Sequence, residues 1–463
     1  MDLKKKILIF IPQDLFVRNY ISTNCFKLLQ SNYKVRLLVS DSIVNKKDIE
    51  SCGIPFEYYS EASPRNKLLY YILDLLMWRY RKRSSTFKFR LYRYQGLKLE
   101  FPIETKLVKK IFLITWRIIR FIYLRIRNYI LGSSPIFYPY YYLLKFYLGL
   151  NMFLENKILT LKPDLILFPS SAYDPIGIDL IDICKKNKIK SFFLIDNWDN
   201  LSSKSIFFNR PDFIGVWGQQ SKEHAKTVQS FQSQQVKLLG TPRFDQYFHL
   251  RDTKLESPYK FPYFLFVGTA LKFDELACIS KLDSIIQHNP QLQHYKIIYR
   301  PHPWRHSLEI LDLSSLNNVI IDTQIESAYA LGKNSTSLQP ALDYYPALLS
   351  NATLAMGGLT SMLIEATIFY KPFIGMIHDD YKNFTSMHNV YKSYIHFKGI
   401  SEIDSISLCD NLETLESSIT KMLNTKKFMN NDQIDSQRNF FYFHDNLSYP
   451  QRLKNACNEI LDF

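Results

Sequence analysis

The chain has 463 residues, of which 46% are hydrophobic and 22% are charged, and its six cysteines are scattered without a CxxC pair. The length predicts two or three domains with buried cores, while the composition excludes a disordered tail, a fibrous repeat, a zinc ribbon and a disulfide scaffold. The net charge is +15, and the stretch from 79 to 127 holds 15 Lys/Arg and 2 Asp/Glu, so one region carries almost all of the excess.

The chain begins with a lysine cluster and a short apolar segment at 6–11. Gln13 and Asp14 interrupt this segment too early for a signal peptide, so we predict a first buried strand. Arginines divide the other long apolar stretches before they reach the roughly 18 residues that a membrane-spanning helix needs. We therefore expect a cytoplasmic protein without a transmembrane segment.

Two series of short segments, rich in branched and aromatic residues, predict two parallel sheets covered by helices on both faces. The first series comprises strands at 6–11, 34–40, 164–168, 191–195 and 213–217, with helices at 175–187 and 219–230. After a polar stretch at 251–262, the second series comprises strands at 263–268, 295–300, 318–322, 353–356 and 373–377, with helices at 272–288, 360–370 and 411–424. The predicted fold class is thus α/β, with two successive doubly wound domains.

A helical segment from about 62 to 155, rich in Tyr, Phe, Trp, Arg and Lys, interrupts the first series. One predicted helical face carries Ile111, Ile114, Ile118, Phe121 and Ile122, and around it lie Arg117, Arg120, Arg125 and Arg127. Such a helix is typical of contact with an anionic membrane surface. The alternative is a helical excursion packed on the domain with a solvated basic face. Because no nucleic-acid recognition motif accompanies the charge, we expect no nucleic-acid partner.

Ligands of doubly wound sheets bind beyond the carboxyl ends of the strands, so the turns after the strands are candidate sites. One such turn contains Arg300 and His302, with a proline on each side of the histidine. The prolines end the strand and restrict the backbone. A fixed guanidinium and imidazole there would suit a phosphate or protonation of a leaving group. A strand-end histidine in a rigid turn is the simpler alternative.

A second turn, at 356–366, combines Gly357 and Gly358 with Thr360, Ser361 and Glu365. Glycines allow close approach of a ligand, and free amides of a first helical turn, with two hydroxyls, suit an anion. Glu365, one turn further, would reach ribose hydroxyls. The alternative is an ordinary capped helix.

A third turn, at 195–204, places Asp196 and Asp199 three residues apart in a polar loop. Either carboxylate could serve as a general base, or as a nucleophile toward a sugar carbon, while the alternative is a turn rich in Asx caps. Gly268 and Thr269 form a further candidate phosphate turn. The turn at 240–245, sequence GTPRFD, is interpreted as structural.

Together these segments resemble bacterial surface-polysaccharide glycosyltransferases of the GT-B fold. The resemblance rests on the loop IDNWDNLSSK, on FIGVWGQQSKEHA with VKLLGTPRFD, and on RPHP followed by MGGLTSMLIEATIFYKPFIG. The last pair resembles the donor half of capsule glycosyltransferases and CDP-glycerol glycerophosphotransferases, and also motifs of sialyl- and Kdo-transferases. The resemblance covers about 190–380 and excludes the basic insertion.

The resemblance implies two Rossmann-like domains, an acceptor domain at 1–250 and a nucleotide-sugar domain at 251–440, with a helix at 441–463 crossing back. It implies a metal-independent enzyme without cofactor. It also implies that Arg300 and His302 contact donor phosphate, that Thr360 and Ser361 form the Ser/Thr motif, and that Glu365 binds ribose. Asp196 or Asp199 would face the acceptor, but Asn197 stands where the related loop has glycine, so the choice between them stays open.

From these features we expect a glycosyltransferase at the inner face of the cytoplasmic membrane that uses a nucleotide-sugar donor and a glycan or glycolipid acceptor. The histidine motif with Thr-Ser favours a CMP-activated ulosonic acid such as Kdo or a sialic-type acid, with a UDP-hexose or UDP-HexNAc donor as the alternative. A CDP-glycerol-type phosphotransferase, a sugar-nucleotide epimerase and a non-enzymatic basic scaffold for lipid or nucleic acid are also compatible with the sequence.

Overall fold

A computed structural model describes residues 4–60, 63–95, 107–303, 311–330, 340–425 and 429–462. The strands of a first sheet are β1 (Lys6–Ile11), β2 (Lys34–Ser40), β3 (Phe56–Tyr59), β4 (Leu165–Ser170), β5 (Lys190–Ile195), β6 (Phe213–Val216) and β7 (Val236–Leu238). Those of a second sheet are β8 (Tyr263–Val267), β9 (Lys296–Arg300), β10 (Val319–Ile321), β11 (Leu354–Gly357), β12 (Phe373–Met376) and β13 (Ile406–Cys409).

Helices surround both sheets. In the first half they are α1 (Asp14–Phe16), α2 (Lys46–Ser51), α3 (Ser63–Arg79), α4 (Ser85–Gln95), α5 (Leu107–Leu131), α6 (Ser134–Leu148), α7 (Met152–Leu161), α8 (Pro175–Asn187), α9 (Asn200–Ser203), α10 (Gln219–Thr227) and α11 (Pro242–Arg251). In the second half they are α12 (Glu275–His288), α13 (Thr323–Ala330), α14 (Tyr344–Asn351), α15 (Met362–Ile368), α16 (Met387–Ser393), α17 (Leu415–Thr425), α18 (Asn431–Arg438) and α19 (Tyr449–Asp462).

Both sheets are parallel and doubly wound, with strand orders β3-β2-β1-β4-β5-β6-β7 and β10-β9-β8-β11-β12-β13. Their central strands are buried along almost their whole length, as in β1, β4 and β8. Such strands need helices on both faces, which explains their near-continuous apolar sequences. The predicted α/β fold class is confirmed.

Three strands were not predicted: β3, β7 and β13. Each is three or four residues long, lies at an edge of its sheet, and is only partly buried. A half-buried edge strand has no need of a continuous apolar run, so its sequence signal is weak.

The insertion between β3 and β4 consists of α3 to α7. It has its own small core, to which Leu76, Phe87 and Phe137 contribute, and this core rests on Ile206 and Val228 of the first domain. The predicted helical insertion is therefore confirmed as an element of the fold. Among the residues that the structure describes, no helix is both long and apolar enough to cross a bilayer.

The last helix, α19, packs against the first sheet, where Tyr449, Leu453, Cys457 and Ile460 join its core. Shortly before it, the chain passes close to the end of β6, where a side chain at Gly218 would overlap the backbone of Phe441. The domain limits at 250 and 440 stay a prediction from the sequence.

Candidate active site

Asp196 directly follows β5 and is held by main-chain contacts on both sides. Its amide donates to the carbonyl of Ser170 at 2.9 Å, and its carbonyl accepts from the indole nitrogen of Trp217 at 3.0 Å. Because Trp217 is itself 1% exposed, the loop has little freedom to move at this point. The predicted strand-end position of this aspartate is confirmed.

The Asp196 side chain is 7% exposed. Burial raises the pKa of Asp196 to about 6, although a hydrogen bond from Asn19 and the nearby charge of Arg243 both act to lower it. The Asn19 amide nitrogen donates to Oδ1 at 2.9 Å. A carboxyl group with this pKa is ionised near neutral pH yet basic enough to accept a proton, as a general base must.

Arg243, at the start of α11, lies between the two domains. Its Nη2 atom donates to Oε1 of Glu365 at 3.2 Å. Burial acts to lower the pKa of Arg243, but Glu365, Tyr247 and Asp196 outweigh it and raise the pKa above its ordinary value. The Arg243 guanidinium therefore interacts electrostatically with carboxylates of both domains, Asp196 in the first and Glu365 in the second.

Glu365, on α15, is 2% exposed and accepts hydrogen bonds from three side chains. Besides Arg243, these are the Ser361 hydroxyl at 3.0 Å and the Tyr247 hydroxyl at 3.3 Å. The structure thus brings together Ser361 and Glu365, both predicted from the sequence, with two residues of α11. The predicted contact of Glu365 with ribose stays a prediction.

Arg18 adds a second guanidinium to this cluster. It lies in a π-helical turn, Val17–Ile21, after β1. Burial lowers the pKa of Arg18, and the neighbouring Arg243 lowers it further. Among the described residues, Nη2 of Arg18 and Nε of Arg243 are buried and have no hydrogen-bond partner. Two guanidinium donors without partners can bind an anionic oxygen.

The candidate phosphate turns of the second domain lie side by side at the ends of β8, β9 and β11. A Cβ atom at Gly268 would lie 3.1 Å from the amide nitrogen of His302, and one at Gly358 would overlap the methyl group of Thr269. Gly357 has a φ of +148° and a Cβ atom there would overlap the carbonyl oxygen of Val267. Close packing of these turns on one another therefore explains the glycines.

Thr269 is 2% exposed, and its polar groups have partners inside the domain. Its amide donates to Glu275 at 3.1 Å and its hydroxyl to the carbonyl of Leu271 at 2.5 Å. The amide and the hydroxyl of Thr269 thus both donate within the domain. The predicted phosphate contact of Thr269 stays a prediction. Thr360 also has a local role, because its hydroxyl accepts from the amide of Met362 at 3.0 Å.

Arg300 is 3% exposed and its guanidinium has protein partners on every side. It forms a buried ion pair with Asp322, donates to Gln324 at 2.8 Å, and donates through Nε to Tyr345 at 3.3 Å. These contacts hold the Arg300 side chain at the end of β9, and its predicted phosphate contact stays a prediction. His302, two residues further, is half-buried beside Gly268.

Asp199 differs from Asp196 in its surroundings. Its Oδ2 atom accepts from the Ser203 hydroxyl at 2.6 Å. Burial acts to raise the pKa of Asp199, but His396, Lys204 and the Ser203 hydrogen bond together hold it below its ordinary value. A carboxylate stabilised in its ionised form is a poor proton acceptor, so of the two aspartates Asp196 is the better candidate for a base.

The four predicted membrane-contact arginines lie on α5, in the insertion, outside this cluster. Arg125 lies over the rings of Phe121 and Tyr92 at 4.7 and 5.2 Å. Arg127 lies over Tyr71 at 5.3 Å, while Arg117 is half-buried and Arg120 is exposed. Part of the basic charge therefore packs on aromatic rings of the insertion itself.

The sequence did not point to Arg18, Asn19, Arg243 or Tyr247. The GTPRFD turn, interpreted from the sequence as structural, leads into α11, and its Arg243 contacts Glu365 across the two domains. The sequence feature that could have drawn attention to Arg243 is its position directly after Pro242, in the first turn of the helix that follows the last strand of the first sheet. For Arg18 and Asn19 no local signal exists, since a π-helical turn has no recognisable pattern.

Within the described ranges, no group of three or more His, Cys, Asp or Glu side chains is placed to hold a metal ion. The metal-independent reaction expected from the resemblance stays a prediction.

No protein-family model and no curated protein matches the chain. Solved structures match over nearly the whole length. A UDP-GlcNAc 2-epimerase from Neisseria meningitidis, bound to UDP-GlcNAc, has a TM-score of 0.51 at 12% identity, with 98% of this chain and 99% of that chain covered. A co-structure of S. aureus MnaA with UDP has a TM-score of 0.52 at 10% identity, covering 99% and 97%.

A glycosyltransferase from Rickettsia africae has a TM-score of 0.50 at 10% identity, with 99% of both chains covered. At such identities the likeness concerns the fold alone. The chain therefore has the GT-B fold, in which two Rossmann-like domains face one another, as the sequence predicted.

Proposed function

We propose that the chain is a glycosyltransferase that moves a sugar from a nucleotide-activated donor to a glycan or glycolipid acceptor of a surface polysaccharide. The observation that carries the proposal is the buried Asp196, which lies near the charge of Arg243, whose guanidinium in turn binds Glu365 of the second domain. A proton acceptor on one domain and cations and hydroxyls at the junction are what sugar transfer from a nucleotide requires.

In the proposed reaction, Asp196 accepts the proton of an acceptor hydroxyl as its oxygen bonds to the anomeric carbon of the donor. The bond between that carbon and the phosphate oxygen breaks, and its electron pair stays on the nucleotide. Nη2 of Arg18 and Nε of Arg243, which have no hydrogen-bond partner among the described residues, would stabilise this charge together with His302. Direct displacement by the acceptor inverts the configuration at the anomeric carbon.

For the donor we propose a CMP-activated ulosonic acid, on the basis of His302 in its Pro-His-Pro turn and of the hydroxyls of Thr360 and Ser361. Calorimetry with CMP, CDP, UMP and UDP tests this choice. Selective CMP binding that is lost in His302→Ala, and kept in the control His249→Ala at an exposed position of α11, would support it. Selective UDP binding would instead identify a UDP-hexose or UDP-HexNAc donor. If none of the four nucleotides bound, the glycosyltransferase proposal would be wrong and a basic scaffold favoured.

The role of Asp196 can be separated from that of its neighbour in the same loop. Asp196→Asn should lower kcat by about 10²- to 10⁴-fold, as expected when a general base is removed, and Asp199→Asn should retain far more activity. The assay is transfer of labelled sugar to acceptor glycans. Equal losses in both variants would contradict the assignment of Asp196 as the base.

A sugar-nucleotide epimerase is the second candidate, because a buried base with a pKa of about 6 also suits removal of a proton from a sugar carbon. The two reactions differ in their need for an acceptor. Epimerised sugar nucleotide formed without acceptor, and dependent on Asp196, would favour the epimerase. Transfer of a glycerol-phosphate unit from CDP-glycerol would favour the phosphotransferase instead.

A further inference from the structure

The helix α5 exposes its apolar side chains instead of burying them. Twelve of its 25 residues are large hydrophobic side chains that are at least 38% exposed, and of the whole helix Asn128 alone is buried. The exposed side chains are Leu107, Val108, Ile111, Phe112, Trp116, Ile118, Ile119, Ile122, Tyr123, Ile126, Tyr129 and Ile130. We call this set the α5 outer face. A surface helix of a globular protein normally turns its apolar stripe toward the core.

The helical period explains how the α5 outer face arises. Ile111, Ile118, Ile122 and Tyr129 follow one another along one line of the helix, and all four are exposed. The half-buried Arg117 and Arg127 lie on the opposite side, which faces the insertion. The arrangement is thus inverted relative to a helix that packs on its own domain. An exposed apolar surface of this extent marks an interaction site.

On α5 and α6 themselves the charge has one sign. From 107 to 154 the sequence contains seven Lys/Arg and no Asp or Glu. A partner must therefore offer negative charge together with an apolar interior. A second copy of the chain fits poorly, because its own α5 would bring the same positive charge. Nucleic acid would meet the charge but leave the aliphatic side chains without apolar contacts.

We propose that the α5 outer face lies in the surface of an anionic lipid bilayer, with the helix parallel to the membrane plane. With 25 residues, the helix is about 37 Å long and could span the hydrocarbon core of about 30 Å. Arg117 and Arg120 near its middle prevent spanning, because they would lie at the bilayer centre. In the membrane plane, apolar side chains enter the lipid and the basic ones reach the headgroups.

The neighbouring helix extends the apolar surface. On α6, Tyr142 and Leu143 are about 60% exposed, and Phe146 and Tyr147 exceed 80%. Tyrosine and tryptophan, present here in Trp116 and several tyrosines, favour the level of the headgroups. The proposal does not depend on the proposed function, because binding to vesicles requires no sugar nucleotide.

The test uses the full chain with vesicles of phosphatidylcholine, with and without phosphatidylglycerol. We expect cosedimentation with the anionic vesicles only, weakened by salt, and a blue shift of tryptophan fluorescence that disappears in Trp116→Phe.

Ile118→Glu combined with Ile122→Glu should weaken vesicle binding by at least about tenfold, because charges replace two apolar contacts with the lipid. Since both positions are exposed, the fold should be unaffected. Lys109→Gln and Arg120→Gln should each weaken binding by about fivefold.

Val44→Glu combined with Leu447→Glu is the matched control, with the same change in charge at exposed apolar positions outside the insertion. It should bind vesicles almost as wild type does. Equal loss in the control would show that net charge alone drives binding, and it would overturn the proposal. Failure of wild type to bind anionic vesicles would also overturn it. So would a dimer in solution, without lipid, that Ile118→Glu with Ile122→Glu dissociates.

Discussion

Asp196→Asn should make the protein more stable near neutral pH while it removes the proposed base. Burial raises the pKa of Asp196 from 3.8 to about 6, so the folded state binds a proton that the unfolded state has released. The contribution of protonated Asp196 to the free energy of unfolding is fully present below about pH 4 and is lost as the pH rises through about 6. A difference of about two pKa units corresponds to about 3 kcal/mol of unfolding free energy. An asparagine of the same shape, which still accepts from Asn19, avoids this loss.

Urea unfolding of wild type and Asp196→Asn, followed by circular dichroism, measures this difference. At about pH 8 the variant should be more stable by about 3 kcal/mol, and at about pH 4 the two should be nearly equal. Asp410→Asn, at an exposed aspartate of the second domain, is the control and should show no such gain. A gain that is absent at the higher pH, or equal at both pH values, would contradict a raised pKa of Asp196.

Further substitutions test the contacts of the second domain. Arg300→Met should destabilise the protein by about 3 to 5 kcal/mol, because the fully buried Asp322 carboxylate would lose the guanidinium with which it is paired. A folded variant of normal stability in thermal denaturation would contradict the buried ion pair. Gly357→Ala should lower the melting temperature by several degrees or prevent folding, since the new methyl group would overlap the Val267 carbonyl. Ser361→Ala removes one hydrogen bond to Glu365 and should cost about 1 kcal/mol in urea unfolding; no measurable change would show that this bond does not contribute.

The fold was predictable because buried parallel strands impose a strong pattern. Strands β1, β4, β5 and β8 are mostly apolar where they are buried, the exceptions being Ser170 and Ser191, and helices separate them along the chain. The short edge strands were not predicted from the sequence because half-buried residues need not be apolar. The sequence also showed where the insertion lies but not which side of α5 faces outward, because that depends on the helices on which it packs.

The candidate site was predictable only in part, since it is assembled from two domains. Asp196, Ser361 and Glu365 stand in turns after strands, where position along the chain indicates function. Arg243 and Arg18 reach the same place from a helix start and from a π-helical turn, and only the approach of the domains reveals this. Arg300 contacts Asp322, and Thr269 contacts Glu275. No local sequence motif indicates that these pairs of residues are close to each other.

The insertion contacts both domains through α4, and this links the membrane proposal to the proposed reaction. On one side Arg90 donates to the Ser203 carbonyl in α9, in the loop that also carries Asp199. On the other side Ser85 donates to the Ser393 carbonyl at 2.7 Å, in the second domain. Because α4 packs against both α5 and α9, it lies between α5 and the loop that carries Asp199. If both proposals hold, a lipid-linked acceptor held at the bilayer by its lipid would approach that loop from the side of the insertion.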